Sequence, residues 1–175
     1  LKVCHQKRAS SHRVFADFAG WGKNAVGWYY GFKLHLIVND YGELLAYKVT
    51  PANVDDRAVV PELTKHIVGK LFGDKGYISE KLFHQLYERG LQLITKLKKN
   101  MKNKLMDIND KLVLQRRGMI ESVNAQLKQQ CQIEHSRHRS VVNFMVNLIA
   151  GLVAYCYLPT KASLHNQPEL PVYTF

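Results

Sequence analysis

From Val141 to Leu158 the chain runs 18 residues without a charge. Only a membrane span or a helix deep in a protein core accepts such a run. A span needs roughly 20 apolar residues, so the length is borderline. Asn143 and Asn147 lie four apart on one helical face, and Gly151 continues their row. The rest of the circumference is apolar. A central core helix fits best, its Asn row meeting backbone or other polar groups. A basic membrane-associated protein would rest on this run alone.

A core helix needs a layer to cover. Phe32, Leu34, Leu36 and Val38 alternate along Tyr30 to Val38 and predict a strand, with Lys33 and His35 on its other face. Asn39-Asp40-Tyr41-Gly42 is a turn signal, and Leu44 to Val49 returns as a second strand. Val54 to Val68 reads as a helix with Asp55 and Asp56 near its positive end. Leu71-Phe72 is a very short buried strand broken by Gly73 and Gly76, so Asp74 stands at a strand's carboxyl end. Ser79 caps a helix to about Arg89, and Gly90 stops it. Leu91 to Thr95 is another strand, and a long helix is predicted over Asn109 to Gln132. This order suggests a mixed sheet flanked by helices. Residues 1 to 28 read as loop and arm, with Phe15, Phe18, Trp21 and Trp28 interleaved among cations. Such a segment suits stacking and phosphate contact. Pro159 to Phe175 reads as a tail.

The charge narrows the partners. In 175 residues, 25 Lys+Arg stand against 14 Asp+Glu, a net +11. Such a surface attracts polyanions, nucleic acid first and an anionic membrane second. Lys96 to Lys104 holds five Lys in nine residues. Three cysteines without a Cys-x2-Cys pair argue against a disulfide framework and for a reducing compartment. Cys131, His135 and His138 have the spacing of three zinc ligands, one short of a closed structural site. A basic loop is the simpler reading. The chain begins at Leu1 with no apolar signal segment, and is expected to be a piece of a longer protein.

Chemistry concentrates on the long helix. Arg117 lies four residues before Glu121, and Lys128 seven after it, on one face. Ile120, Val123 and Leu127 form a separate apolar stripe. An ion-paired surface helix would show the same pattern and be worth little. Asp74 alters the reading, because two carboxylates from different elements can converge on a hard divalent cation. Arg117 can fork phosphate oxygens, and Lys128 can act as a point charge.

Four segments, in this order and spacing, resemble bacterial insertion-sequence transposases of the DDE type: Tyr30-Gly31-Phe32-Lys33-Leu34-His35-Leu36, Thr50 to Asp56, Gly73-Asp74-Lys75-Gly76-Tyr77 and the Glu121 helix. Ile133 to Ser140, with the Asn143/Asn147 helix, is similar as well. The family helix reads Tyr-x2-Arg-x3-Glu-x6-Lys. Arg117, Glu121 and Lys128 fit it, and Leu114 stands at the Tyr position. The resemblance spans residues 1–158 and leaves 159–175 as a C-terminal tail. It implies an α/β, ribonuclease-H-like mixed sheet flanked by helices, with the opening strand largely missing here. It implies three acidic ligands for Mg²⁺ or Mn²⁺. Asp74 matches the second and Glu121 the third. The first belongs on the opening strand, whose tail Leu1 to Cys4 resembles, so that acid is expected upstream of Leu1. Asp17, among loop residues, is not assigned. The implied activity is cleavage of element ends and strand transfer into target DNA. Lys33, His35, Arg117, Lys128, Arg137 and Arg139 would contact DNA. A homodimer holding two ends in the bacterial cytoplasm, at the nucleoid, is implied by the resemblance alone. With the first ligand absent the fragment itself is expected to be inactive. The alternative is a transposase remnant that binds DNA without cutting it.

Overall fold

The computed structural model describes residues 1–96, 106–134 and 139–165. Among them six strands and five α-helices make a mixed α/β arrangement. The alternating strand is β3 (Gly27–Val38), longer than expected, at the centre of a four-stranded antiparallel sheet. Its first part pairs with β2 (Gly20–Asn24), and its second with β4 (Leu44–Pro51). β1 (Lys2–Cys4) lies against Tyr30 and Gly31. Leu1 extends that pairing, donating from its amino group to the Phe32 carbonyl and accepting from the Phe32 amide, both at 2.9 Å. β5 (Gly69–Gly73) and β6 (Leu91–Thr95) form a parallel pair of their own. The single mixed sheet expected from the sequence is therefore divided in two, because no described strand bonds both to β3 and to β5.

Residues 1–28 are not a loose arm. They form β1, two 3-10 turns (Gln6–Ser11 and Arg13–Phe15) and β2. Phe15 is the reason. It is wholly buried, edge-on to Phe32 at 5.9 Å and to Phe144 at 5.7 Å. Burying a ring of that size stabilises by about 1.5–3 kcal/mol and pins the segment to the sheet. The same core takes Val123 and Leu127 from α4 (Met119–Gln129) and Leu148, Leu152 and Tyr155 from α5 (Val141–Cys156).

The core-helix expectation for Val141 to Leu158 holds for α5, and no described helix is long and apolar enough to cross a membrane. Its Asn row behaves differently from expectation. Asn143 is exposed, while at Gly151 a Cβ would come 2.4 Å from Ile133 Cγ2 and 3.0 Å from the Cys131 carbonyl. Gly151 is needed for that close approach. The opposite flank exposes Val142, Val146, Ile149 and Val153. The tail also differs up to residue 165. Leu164 donates to the Asp40 carbonyl, and the Ala162 carbonyl sits where a Cβ on Gly42 (φ 77) would be.

Two helices are shorter than predicted. α1 (Asp56–Leu63) starts on Asp55, which accepts the Arg57 amide, and ends where the Thr64 hydroxyl turns back to the Val60 carbonyl at 2.7 Å. The long helix splits into α3 (Ile108–Gln115), a 3-10 turn (Arg116–Gly118) and α4, breaking at Gly118, whose backbone is costly to hold helical. α2 (Glu80–Tyr87) keeps its Ser79 cap and its Gly90 stop at φ 75. With α1 and β6 it closes a second core of Val60, Leu82, Leu86, Leu91 and Leu93.

Candidate active site

β5 delivers Asp74 to the surface. Just past the strand, its side chain caps the 3-10 turn Lys75–Tyr77, and Oδ1 accepts the Lys75 amide at 2.7 Å. The same oxygen accepts Arg117 Nη1 at 2.5 Å, across 43 positions of sequence. Arg117 stands in the turn that breaks the long helix, one turn before Glu121 on α4. One guanidinium thus ties the strand-end carboxylate to the helix that carries the other. Glu121 is exposed and makes no ion pair among the described residues.

Asp74 is held below the usual carboxylate range, first by the Lys75 amide and further by Arg117, against the opposing effect of partial burial. It is an anion at neutral pH. Burial raises the Tyr77 phenol, and the negative charges of Asp56 and Asp74 raise it further. Tyr77 therefore stays protonated beside both. Sequence reasoning missed it, although it ends the Gly-Asp-Lys-Gly-Tyr segment. By sequence Asp56 is only a helix-end charge. It is also the partner of Lys33, whose Nζ donates to Asp56 Oδ1 at 2.9 Å and to the Val54 carbonyl at 2.8 Å.

The expected DNA contacts separate into different situations. His35 is buried, with Nε2 2.8 Å from Thr50 Oγ1, and burial lowers its pKa toward the neutral ring. Its ring is turned away from solvent. The alternation expected of β3 holds, and α1 packs against β3 and β4 on this face, where Lys33 bonds Asp56, Lys48 bonds Glu62, and His35 and Ile37 are buried. Lys128 Nζ pairs with Glu134 at 3.1 Å. Both side chains are about half exposed, so this pair is weak. Arg139 is exposed. Arg137 lies outside the described residues, as do the basic stretch 97–105 and His135 and His138 of the zinc reading. Among the described residues no trio of His, Cys, Asp or Glu could hold a metal ion. Leu114, at the family's Tyr position, is buried, so that position points into the fold here. Asp17 is exposed in the turn before β2.

A family model for the transposase DDE domain matches residues 1–141. The chain belongs to the transposase DDE domain family. No curated protein and no solved structure gives a significant match. The matched stretch of this DDE domain takes in both sheets, α1 to α4, Asp74, Arg117 and Glu121, and it stops where α5 starts.

Proposed function

We propose that this domain cuts DNA at the ends of an insertion element and transfers the freed strand into target DNA, with Asp74 and Glu121 as ligands of Mg²⁺ or Mn²⁺. The observation that carries the reading is the 2.5 Å contact from Arg117 to Asp74, which ties the strand-end carboxylate to the Glu121 helix. The donor chemistry suits a hard cation. Asp74 is ionised, its Oδ2 takes no hydrogen bond among the described residues, and both carboxylates reach solvent. When bound, the metal supplies activation of an attacking oxygen and stabilisation of a leaving one.

The chain's own residues supply the rest. The Lys75 amide keeps Asp74 charged without relying on Arg117. Arg117 spends one of its five N–H donors on Asp74 and has others for phosphate oxygens. Lys128 and Arg139 add positive charge for the backbone. In this reading the fold is ribonuclease-H-like. An opening strand continuing β1 along β3 would bring the first acidic ligand, and a homodimer would hold two DNA ends in the bacterial cytoplasm.

The second reading is a remnant that binds DNA only. It is favoured by the absence, among the described residues, of any trio of His, Cys, Asp or Glu that could hold a metal ion. The test is Mg²⁺-dependent cleavage of element-end DNA, with and without an added opening strand. Cleavage is expected with the strand. Asp74→Ala and Glu121→Ala should each lower it by at least about a hundredfold, since even a 1 Å misplacement costs that much. A Glu121→Ala variant that still cuts refutes the assignment. Tight binding without cleavage in every form establishes the remnant.

A further inference from the structure

The sequence Gly20-Trp21-Gly22-Lys23 alternates small and large residues, and the hairpin of β2 and β3 sorts them by face. Trp21 pairs with Tyr30 and Lys23 with Trp28, so these four side chains share one face. The glycines occupy the other face and meet the end of β4. A Cβ on Gly22 would lie 2.9 Å from the Ala52 Cβ, and one on Gly20 would lie 2.2 Å from Asn53 Oδ1. The glycine face is pressed against the body, which turns the aromatic face outward. Tyr30 is the buried anchor, its hydroxyl donating to the Phe15 carbonyl at 3.2 Å. Trp21 leans on it at 5.5 Å and stays 43% exposed, while Trp28 is 56% exposed. Lys23 Nζ stands 5.8 Å from the centre of the Trp28 ring. Gln6 bonds the Trp28 carbonyl, placing the basic turn with Lys7 and Arg8 alongside.

We infer that the outward face of this hairpin is a stacking surface for unpaired DNA bases, with Lys23, Lys7 and Arg8 meeting the adjoining phosphates. The inference rests on the DNA reading above for its polymer and adds the form that polymer takes. Two indole rings at diagonal positions on one rigid hairpin face offer flat surfaces that match the face of a base. Duplex DNA hides those faces within its stack, so only a splayed or single-stranded segment can use them. Residues 1–28 carry five Lys/Arg against one Asp. Lys7, Arg8 and Lys23 make no ion pair among the described residues, an arrangement that suits a polyanion better than an apolar protein partner.

The chain has two tryptophans, Trp21 and Trp28, so its indole emission reports on this face alone. The experiment titrates the protein with a single-stranded oligonucleotide and with a duplex of the same length, following that emission and the anisotropy of a label on the DNA. The single strand should quench the indoles more than the duplex does. Trp21→Ala and Trp28→Ala should each lower the ratio of single-strand to duplex affinity by roughly 5- to 150-fold, the range for one stacked base. Trp28→Phe should restore most of it. An unchanged ratio in both Ala variants, with duplex binding intact, overturns this inference and leaves the proposed function standing. Failure to bind either DNA overturns both. Emission that shifts with protein concentration and ignores DNA would make the hairpin an interface between copies, and the stacking assignment would fall.

Discussion

Near α4 two cations are already engaged, Arg117 with Asp74 and Lys128 with Glu134, and on β3 Lys33 is engaged with Asp56. On the β2–β3 hairpin and its basic turn, Lys23, Lys7 and Arg8 make no ion pair among the described residues. The net charge of +11 is thus unevenly available. A phosphate reaching Arg117 or Lys128 must share or displace a carboxylate. At exposed pairs that costs little, but it removes much of the electrostatic gain. At the hairpin no carboxylate has to leave. Counting Lys and Arg finds both regions and cannot rank them. The ranking comes from which carboxylates the fold brings within about 3 Å of each cation.

The largest test of this contrast removes the hairpin's seat. Gly22→Val forces a side chain against Ala52 and Tyr29. It should cost about 1–3 kcal/mol of stability in urea or thermal unfolding, as overpacking does. Full stability in this variant would show that the glycine face is not what orients the aromatic one. A smaller effect separates the two cation groups. Replacing Lys7, Arg8 and Lys23 by Ala should lower the salt dependence of single-strand binding by about 0.7 per cation in the log–log slope. Lys128→Ala should lower it by less, because Glu134 already neutralises that charge. Equal slopes would erase the distinction.

The smallest effect is a titration. Arg117→Ala should raise the Asp74 pKa toward its ordinary value without reaching it, since the Lys75 amide, the largest cause of the lowering, remains. A carboxylate with a lowered folded pKa stabilises the fold above its unfolded pKa. That stability is lost as pH falls through the folded value. In the variant this acid-side loss should be smaller, and carboxyl titration by NMR measures the shift directly. An unmoved Asp74 would mean the pair contributes nothing in solution, and the α4 cations would then be as available as the hairpin's.

Local signals in the sequence were dependable where one side chain settles the matter. The Ser79 cap, the Gly90 stop, the alternation of β3, the placement of Asp74 after a short strand and the apolar stripe of α4 all follow from residue type and spacing. Boundaries were weaker, because Thr64 turning back on Val60 and the break at Gly118 depend on local competition that periodicity does not register. The first 28 residues misled for a different reason. Their glycines and cations look like loop, and the burial of Phe15 is visible only once Phe32 and Phe144 are beside it.

By itself, then, the order of residues determined the local elements, the total charge, the core character of α5 and the candidate residues Asp74, Arg117, Glu121 and Lys128. Those depend on chemistry within a few positions of chain, where sterics and side-chain bonds act directly. Only the tertiary structure decided that Arg117 holds Asp74, that α1 covers His35, that Lys128 is paired and that Trp21 and Trp28 share an outward face. The Arg117–Asp74 contact joins groups 43 positions apart, and the others depend on which element or turn folds back over a given face. Contact at that range is set by how whole elements pack, which no short window of sequence contains.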